Sequence, residues 1–285
     1  MNSIVKKLSG LEIFKKEIAA GSASAVNQLA AYVLGCELGE VNEKLELASD
    51  KQLNKISKLV KQHIIKHRPV QLIIGDVEFL NCKIAVRKGV LIPRNETELL
   101  ADIVVKHVNK AYKGKQIKVL DMCCGSGALG VAIAKNMANV EVVLADINAK
   151  AIRLAKKNIK KNNVRVQVIK SNLFQNINNK FNIVVCNPPY IPSGDVVGLD
   201  AVVIKNDPIL ALDGGNDGLD FYRRIESVID KYLEIGGELF LEFGRNQEND
   251  IQNIFANKLE NVRIIKDYNN INRFFYGKLK EKDNV

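Results

Sequence analysis

The chain has 285 residues, of which 47% are hydrophobic and 26% charged, the composition of a globular protein with a core of useful size. No apolar run reaches the roughly 20 residues of a membrane-spanning helix, and residues 1–18 lack a signal-peptide pattern. The formal net charge of +10 favours an acidic partner without identifying one, and five cysteines without a Cys-x-x-Cys pair predict neither a disulfide framework nor a metal site. A cytoplasmic protein with no membrane partner is expected.

Residues 1–68 carry apolar side chains at helical spacing, first at Ile13, Phe14 and Ile18 and later around Ile56 and Val60. They predict a small helical domain of three to five short helices. Proline disfavours helix at the residue before it, so Arg68-Pro69 is predicted to end this domain. Residues 69–93 are predicted to form a β-hairpin linker, with strand-like runs on either side of Asn81-Cys82.

Residues 94–285 alternate between strand-like and helix-like segments and are predicted to form one α/β domain. The predicted helices are 96–108, 128–135, 149–160, 221–233 and 247–257, and the predicted strands are 118–120, 140–145, 164–169, 181–186, 238–243, 262–266 and 273–279. Repeated β-α-β units predict a mostly parallel, seven-stranded sheet covered by helices on both faces.

A glycine-rich loop follows the first strand of this domain and has Gly125, Gly127 and Gly130 in a G-x-G-x-x-G spacing. Glycines allow a ligand to approach the backbone, and the next helix offers free N–H groups. Asp146 ends the next strand, where a carboxylate accepts hydrogen bonds from ribose hydroxyls or interacts with the start of the following helix. The two features predict an adenosine-containing cofactor, either a dinucleotide or S-adenosylmethionine.

The sequence Asn187-Pro188-Pro189-Tyr190 follows the strand at 181–186 and predicts a catalytic loop. A planar NH₂ group is a poor nucleophile because its lone pair is delocalised. The Asn187 oxygen and the Pro188 carbonyl can accept its two N–H groups and aim the nitrogen at a methyl donor, while the Tyr190 ring stacks on the planar group. The pattern restricts the substrate to adenine N6, cytosine N4 or glutamine N5 and does not choose among them.

The segment from Val90 to Glu98, with the sequence Val-Leu-Ile-Pro-Arg-Asn-Glu-Thr-Glu, is more specific. Together with Asp213-Gly214-Gly215 and Glu242-Phe243-Gly244, it resembles the HemK/PrmC family of release-factor glutamine N5-methyltransferases. The resemblance implies a Rossmann-like class I methyltransferase domain that uses S-adenosyl-L-methionine, preceded by a small helical substrate-recognition domain. It also implies, as substrate, the glutamine of the Gly-Gly-Gln motif in class 1 peptide chain release factors. We expect a monomer with no direct nucleic-acid substrate.

The resemblance also assigns site residues. The catalytic residues would be Asn187, Pro188 and Tyr190. The cofactor would be bound by Cys123, Cys124, Gly125, Ser126, Gly127, Asp146, Asn172, Leu173 and Asn187. The substrate would be bound by Asn187, Pro188, Pro189, Tyr190 and Arg94. Arg94 and Glu98 are expected near the mouth of the site or as a clamp between domains.

Four positions depart from the family pattern: Asn95 replaces Pro, Cys123-Cys124 replaces Gly-Thr, Asn172 replaces an Asp that contacts the adenine amino group, and Asp207 replaces Glu. Asn172 keeps one acceptor oxygen, so the predicted loss of cofactor affinity is on the order of 1 kcal/mol at most.

Other functions remain compatible with parts of the sequence. A ribosomal-protein glutamine methyltransferase would share the Asn187–Tyr190 loop but not the segment around Arg94. An N6-adenine nucleic-acid methyltransferase would place a flipped base in the same pocket, although the chain has only 6% aromatic residues and no tryptophan for stacking. A non-catalytic scaffold would not need Asn187, and a dehydrogenase would leave the Asn187–Tyr190 loop unexplained. The basic stretch 150–170 is either a solvated helix face or a surface for an acidic partner.

Overall fold

The computed structural model describes residues 23–281, and the chain divides into two compact units, residues 1–75 and 76–285. The helical period predicted at Ile13, Phe14 and Ile18 lies outside the described residues. No helix between residues 23 and 281 is long and apolar enough to cross a membrane.

The first unit is helical, as the apolar spacing predicts. Its elements are α1 (Ala23–Leu34), a 3₁₀ turn (Leu38–Glu40), α2 (Val41–Glu46), α3 (Asp50–Lys66) and α4 (Val70–Ile74). Val26, Leu29, Leu45, Ile56 and Val60 are buried and form its core. Ser49 begins α3 with a capping box, in which its hydroxyl accepts from the Gln52 N–H and the Gln52 side chain accepts from the Ser49 N–H.

The helical unit ends at Gly75 and not at residue 68, where the sequence analysis placed its boundary. His67 is left-handed, with φ of 50°, and ends α3, but Pro69 lies directly before α4 and does not leave the unit. Arg68 links the two helices, because its guanidinium donates to the Gln62 side chain at 3.1 Å and to the Leu72 carbonyl at 2.8 Å. Pro69 cannot continue α3, but it is compatible with the position directly before α4, where its missing N–H is not needed.

The second unit begins with a hairpin of β1 (Asp76–Phe79) and β2 (Cys82–Ala85). Its turn is Leu80-Asn81, with φ of 40° and 63°, so the strands pair one residue earlier than predicted. The hairpin is part of this unit, since the Asn158 and Asn162 side chains both donate to and accept from its backbone.

A seven-stranded sheet forms the centre of the second unit and confirms the predicted α/β fold. Its strands are β3 (Ile117–Met122), β4 (Val140–Asp146), β5 (Val166–Lys170), β6 (Phe181–Cys186), β7 (Leu233–Glu242), β8 (Leu259–Lys266) and β9 (Asn272–Leu279). Their order is β5-β4-β3-β6-β7-β9-β8, and β9 alone runs antiparallel to its neighbours. The order reverses between β3 and β6, which makes their carboxyl ends a topological switch point.

Helices cover both faces of the sheet, and each face carries one hydrophobic cluster. The helices are α5 (Asn95–Ala111), α6 (Ala128–Asn136), α7 (Ala149–Asn162), α8 (Ser193–Val196), α9 (Ala201–Asn206), α10 (Asp220–Glu226), α11 (Ile229–Tyr232) and α12 (Glu248–Phe255). The helix predicted at 221–233 is two short helices, and Leu233 already starts β7. The short helices α8 and α9 were not predicted, because neither is long enough to show a period.

Candidate active site

The glycine loop after β3 is a tight turn that hydrogen-bonds within itself and to the end of β4. Cys123, Gly125 and Gly127 have positive φ angles of 58°, 55° and 79°. The Gly127 N–H donates to the Cys124 carbonyl at 2.7 Å, and the Cys124 N–H donates to the Ala145 carbonyl at 3.0 Å. Left-handed backbone at Cys123 is unusual for a residue with a side chain, so Cys123 keeps a loop geometry that glycine would adopt more easily.

Gly130 serves packing, in contrast to the glycines that form the loop. A Cβ at this position would lie 2.2 Å from Leu144 Cδ2, so α6 could not pack as closely on the sheet. The Gly130 N–H donates to Asp121 Oδ2 at 2.8 Å. Burial raises the pKa of Asp121 to about 8, the Gly130 N–H opposes this, and the charge of Asp146 adds to it.

Asp146 braces the glycine loop from the end of β4. Its Oδ2 accepts from the Gly125 N–H at 2.8 Å and its Oδ1 from the Asn148 N–H at 2.7 Å. Burial raises the pKa of Asp146, while these backbone donors oppose the shift. The cap of α7 is Asn148, whose side chain accepts from the Lys150 N–H. A carboxylate has about four acceptor positions, so Asp146 keeps acceptor capacity for a ribose hydroxyl beside its backbone donors.

Asn187 is held by a buried hydrogen-bond network. Its Nδ2 donates to Thr97 Oγ1 at 2.9 Å, and Thr97 Oγ1 donates to Glu242 Oε2 at 2.8 Å. The Tyr190 hydroxyl lies 3.4 Å from Glu242 Oε1. Burial raises the pKa of Glu242 to about 7, against the hydrogen bond from Thr97. In the sequence, Thr97 and Glu242 are parts of longer motifs that assign a role to neither residue.

The loop that contains Asn187 is braced from behind. Pro188 and Pro189 are buried, and Gln247 Nε2 donates to the Tyr190 carbonyl at 3.0 Å. A Cβ on Gly214 would lie 2.8 Å from the Pro189 carbonyl oxygen. The Asp213-Gly214-Gly215 segment thus packs against the loop backbone, which explains a motif whose purpose the sequence did not reveal.

Arg94 and Glu98 have different environments. The Arg94 guanidinium, 40% exposed, donates to the buried Asp207 carboxylate at 2.5 Å. Burial raises the pKa of Asp207, and the charge of Arg94 opposes the shift. Glu98 instead accepts from the Leu80 N–H at 2.7 Å and fixes the hairpin turn. Arg94 therefore lies at the cleft, and Glu98 has a structural contact.

One cleft brings most of the predicted residues together. Those that line it are Arg94, Cys123, Cys124, Gly125, Ser126, Asp146, Asn172, Leu173, Asn187 and Pro189. Gly127, Pro188 and Tyr190 each lie next in the chain to a lining residue and border this surface. Thr97, Phe221 and Arg224 also line the cleft. Phe221 and Arg224 carried no sequence signal, because a three-residue spacing on a helix is common.

The Asn172 side-chain oxygen already accepts one hydrogen bond in the structure. Arg224 Nη2 donates to Asn172 Oδ1 at 2.7 Å. Because arginine only donates hydrogen bonds, the amide oxygen faces Arg224, and one of its two lone pairs remains for a ligand. The guanidinium of Arg224 also lies 5.4 Å from the Phe221 ring centroid.

Comparison with known proteins finds similarity to methyltransferases in sequence and in fold. Residues 93–202 match the family described as methyltransferase small domain. A release factor glutamine methyltransferase of Clostridium acetobutylicum is 40% identical over 73% of this chain and 74% of its own length. Another, from Thermodesulfovibrio yellowstonii, is 36% identical over 81% of this chain and 83% of its own. The fold is similar to a methyltransferase of Pyrococcus furiosus, with a TM-score of 0.53 and 15% identity over 80% of this chain and 99% of that one.

Proposed function

Since the chain belongs to the release factor glutamine methyltransferase family, we propose that it methylates the side-chain amide nitrogen of a glutamine in a class 1 release factor, within the Gly-Gly-Gln motif. S-adenosyl-L-methionine is the methyl donor. The observation that carries the proposal is the position of Asn187: its amide nitrogen is bound to Thr97, and its side chain lines the same cleft as the glycine loop.

The cleft fits the methyl donor. Gly125 is open on its cleft side, since a Cβ there would meet only Val90 at 4.0 Å. The backbone around Gly125 and Ser126 can bind the amino acid end of the donor, and Asp146 can accept from the ribose. When bound, S-adenosylmethionine supplies a methyl group activated by its sulfonium. Asn172 and Leu173 lie on the cleft wall where the adenine would bind.

The residues around Asn187 would orient the glutamine amide. Asn187 Oδ1 accepts one amide N–H and the Pro188 carbonyl accepts the other, which aims the nitrogen lone pair at the methyl carbon. The bound donor would supply its methyl group to that nitrogen, and Asn187 and Pro188 would hold the amide in line for the transfer. The extra proton on nitrogen leaves to water. Tyr190 supports the planar amide, and Arg94 lies at the mouth of the cleft for the substrate backbone.

We also propose that the enzyme acts as a monomer on the release factor itself, without a direct nucleic-acid substrate, and that the helical unit contributes to substrate recognition. The Val90–Glu98 segment supports the release factor over a ribosomal protein. A transfer assay with labelled S-adenosylmethionine tests this. It offers purified release factor, the same factor with its Gly-Gly-Gln glutamine changed to alanine, a ribosomal-protein fraction and total nucleic acid. We expect label on the first alone, and label on nucleic acid alone would replace the proposal by base methylation.

Asn187→Ala is expected to lower kcat at least about 100-fold, since one acceptor for the amide is lost. The dissociation constant for S-adenosylmethionine, measured by calorimetry, should change by less than about threefold because the glycine loop and Asp146 are intact. Asn182→Ala is the matched control at the opposite end of β6, where the side chain accepts from the Lys118 N–H. Near-normal turnover in Asn187→Ala would contradict the assigned role.

A further inference from the structure

In the buried network behind Asn187, the donor and the acceptor of each hydrogen bond can be assigned by counting protons. An ionised carboxylate only accepts hydrogen bonds, and a threonine hydroxyl has one proton to donate. Thr97 Oγ1 lies 2.8 Å from Glu242 Oε2 and 2.9 Å from Asn187 Nδ2. If the Thr97 proton is committed to Glu242, Thr97 can only accept from Asn187. The Asn187 NH₂ must then face Thr97, and Oδ1 must face the cleft.

We propose that Thr97 and Glu242 are positioning residues, which hold the Asn187 amide in the orientation that presents its oxygen to the substrate amide. This inference rests on the proposed function. It concerns residues that do not touch the reacting atoms but decide whether Asn187 accepts or donates toward them. With the amide flipped, Asn187 would present an NH₂ to the substrate NH₂, and two donors cannot form a hydrogen bond.

The side chains that hydrogen-bond to the Glu242 carboxylate carry hydroxyl groups and no positive charge. Glu242 is 1% exposed, and within residues 23–281 no Lys, Arg or His forms an ion pair with its carboxylate. Besides Thr97, the Tyr190 hydroxyl faces the carboxylate, while the Tyr222 hydroxyl donates to the Glu242 carbonyl at 2.9 Å. The Tyr190 and Asn187 side chains are thus linked through one carboxylate.

Charged groups on neighbouring elements act on Glu242 from a distance. Glu96 on α5 raises its pKa and Arg273 on β9 lowers it, in addition to burial as the largest cause. The Arg273 guanidinium is engaged elsewhere, since it donates to the Phe243 carbonyl and lies 3.6 Å from Asp267. A Glu242 protonated on Oε2 would donate to Thr97, which could then turn its own proton toward Asn187 and favour the flipped amide. The ionised form cannot donate, so it always accepts the Thr97 proton and holds the active orientation.

Glu238 provides a matched control on the same strand. It lies four residues earlier on β7, is also buried, and also accepts from neighbouring side chains: Tyr276 at 2.7 Å, Tyr112 at 3.2 Å and His107 at 2.9 Å. None of these groups lines the cleft. A change at Glu238 therefore perturbs a buried carboxylate network of β7 without reaching Asn187.

The kinetic test compares Thr97→Val, Thr97→Ser and Glu238→Gln. Valine keeps the shape of threonine and removes the hydroxyl, whereas serine keeps the hydroxyl. We expect Thr97→Val to lower kcat about 10- to 100-fold with the KM for release factor within about threefold, and Thr97→Ser to restore kcat to within about threefold of wild type. Unchanged kcat in Thr97→Val, or an equal loss in Thr97→Ser, would overturn the proposal.

The pH dependence separates positioning from folding. Wild-type kcat should rise with pH through an ionisation near 7, the pKa to which burial raises Glu242. Glu242→Gln cannot ionise and should lose this rise between about pH 6 and 8, whereas Glu238→Gln should retain it even if its melting temperature falls. A wild-type rise that persists in Glu242→Gln would contradict the role of Glu242.

A spectroscopic measurement keeps this inference distinct from the proposed function. The side-chain ¹⁵N–¹H₂ signals of Asn187, identified by their loss in Asn187→Asp, report directly on the donor to Thr97. We expect them to shift and to exchange faster with solvent in Thr97→Val but not in Glu238→Gln. If wild type transfers no methyl group to release factor, the proposed function fails while this measurement still decides the orientation. If the Asn187 side-chain signals do not change in Thr97→Val, the proposed hydrogen bond from Asn187 to Thr97 is wrong.

Discussion

At the residue scale, Asn172 shows how a single substitution changes which hydrogen bonds a site offers. The resemblance predicts an aspartate here that contacts the adenine amino group. In this protein Arg224 donates to the only side-chain oxygen of Asn172 at 2.7 Å, which leaves that oxygen one lone pair for a further donor. At the position where the resemblance implies the adenine amino group, Asn172 thus offers fewer acceptor positions than an aspartate would.

Asn172→Asp should bind S-adenosylmethionine more tightly. An aspartate has a second oxygen, so it can accept from Arg224 and from the adenine amino group together, and hydrogen bonds to charged groups contribute about 1.5–3 kcal/mol. We expect the dissociation constant, measured by calorimetry, to fall roughly tenfold. Asn178→Asp, which adds the same charge at an exposed position of the same connection that does not line the cleft, is the control. Weaker or unchanged binding in Asn172→Asp would show that the adenine is not bound at this position.

The site residues that the sequence predicts share one property: each belongs to a short local motif. Gly125 and Asn187 could be predicted to meet because both follow parallel strands of one sheet. Thr97 and Glu242 could not be assigned roles, since their hydrogen bond joins residues 145 positions apart and no local pattern encodes it. The same holds for Arg224, which reaches Asn172 from α10, 52 positions later in the chain.

At the element scale, α7 has two faces with different tasks. Its basic side chains are exposed, among them Lys156, Lys157 and Lys160. Its buried side carries Asn158, which accepts from the Ala85 N–H at 2.8 Å and donates to the Ala85 carbonyl at 3.0 Å and the Ser126 carbonyl at 2.9 Å. One amide thus joins the hairpin to the glycine loop. The basic run is evident in the sequence, whereas the contacts of Asn158 and Asn162 with the hairpin could not be predicted from it.

Asn158→Ala is expected to lower the free energy of unfolding by roughly 2–3 kcal/mol, because it leaves buried backbone groups of Ala85 and Ser126 without partners. Urea unfolding measures this, and hydrogen exchange at the Ala85 amide should accelerate. Lys157→Ala, the exposed neighbour on the same helix, should change stability by less than about 0.5 kcal/mol. Equal effects of the two changes would mean that the hairpin is not held by Asn158.

Element order was easier to predict than element boundaries. The seven strands were all identified, since buried strands form apolar runs that the intervening helices separate. The helix predicted at 221–233 was wrong in its continuity: it breaks between Glu226 and Ile229, and Leu233 starts a strand. The helical period continues across this break in the sequence, so apolar spacing alone could not reveal it.

At the scale of the whole molecule, the helical unit ends at Gly75, whereas the sequence predicted its end at residue 68. Proline at 69 signals the end of a helix, but a local signal does not say whether the chain then leaves the domain. The contacts of Arg68 with Gln62 and Leu72 keep α4 in the helical unit. The larger unit holds both halves of the cleft and therefore also the buried carboxylates that line or support it.

These carboxylates make the stability of the large unit depend on pH. Burial raises the pKa of Asp121 to about 8 and that of Glu242 to about 7, above the values near 4 of an unfolded chain. Between about pH 4 and 8 the folded state therefore binds more protons than the unfolded state. The stability that these groups contribute is fully present below about pH 4 and is lost as the pH rises through 7 to 8.

The free energy of unfolding should accordingly fall as pH rises from about 5 to 8, and Asp121→Asn should flatten this fall. An asparagine oxygen can still accept from the Gly130 N–H, so the variant should exceed wild type by at least about 1 kcal/mol at pH 8.5. Urea unfolding followed by tyrosine fluorescence suits the measurement, because the chain has no tryptophan and Tyr32 alone among its seven tyrosines lies outside the large unit. Asp217→Asn is the control: Asp217 is exposed, and Arg223 lowers its pKa to about 2, so its titration lies below this range. Parallel curves for wild type and Asp121→Asn would show that Asp121 is ionised in the folded protein throughout the range.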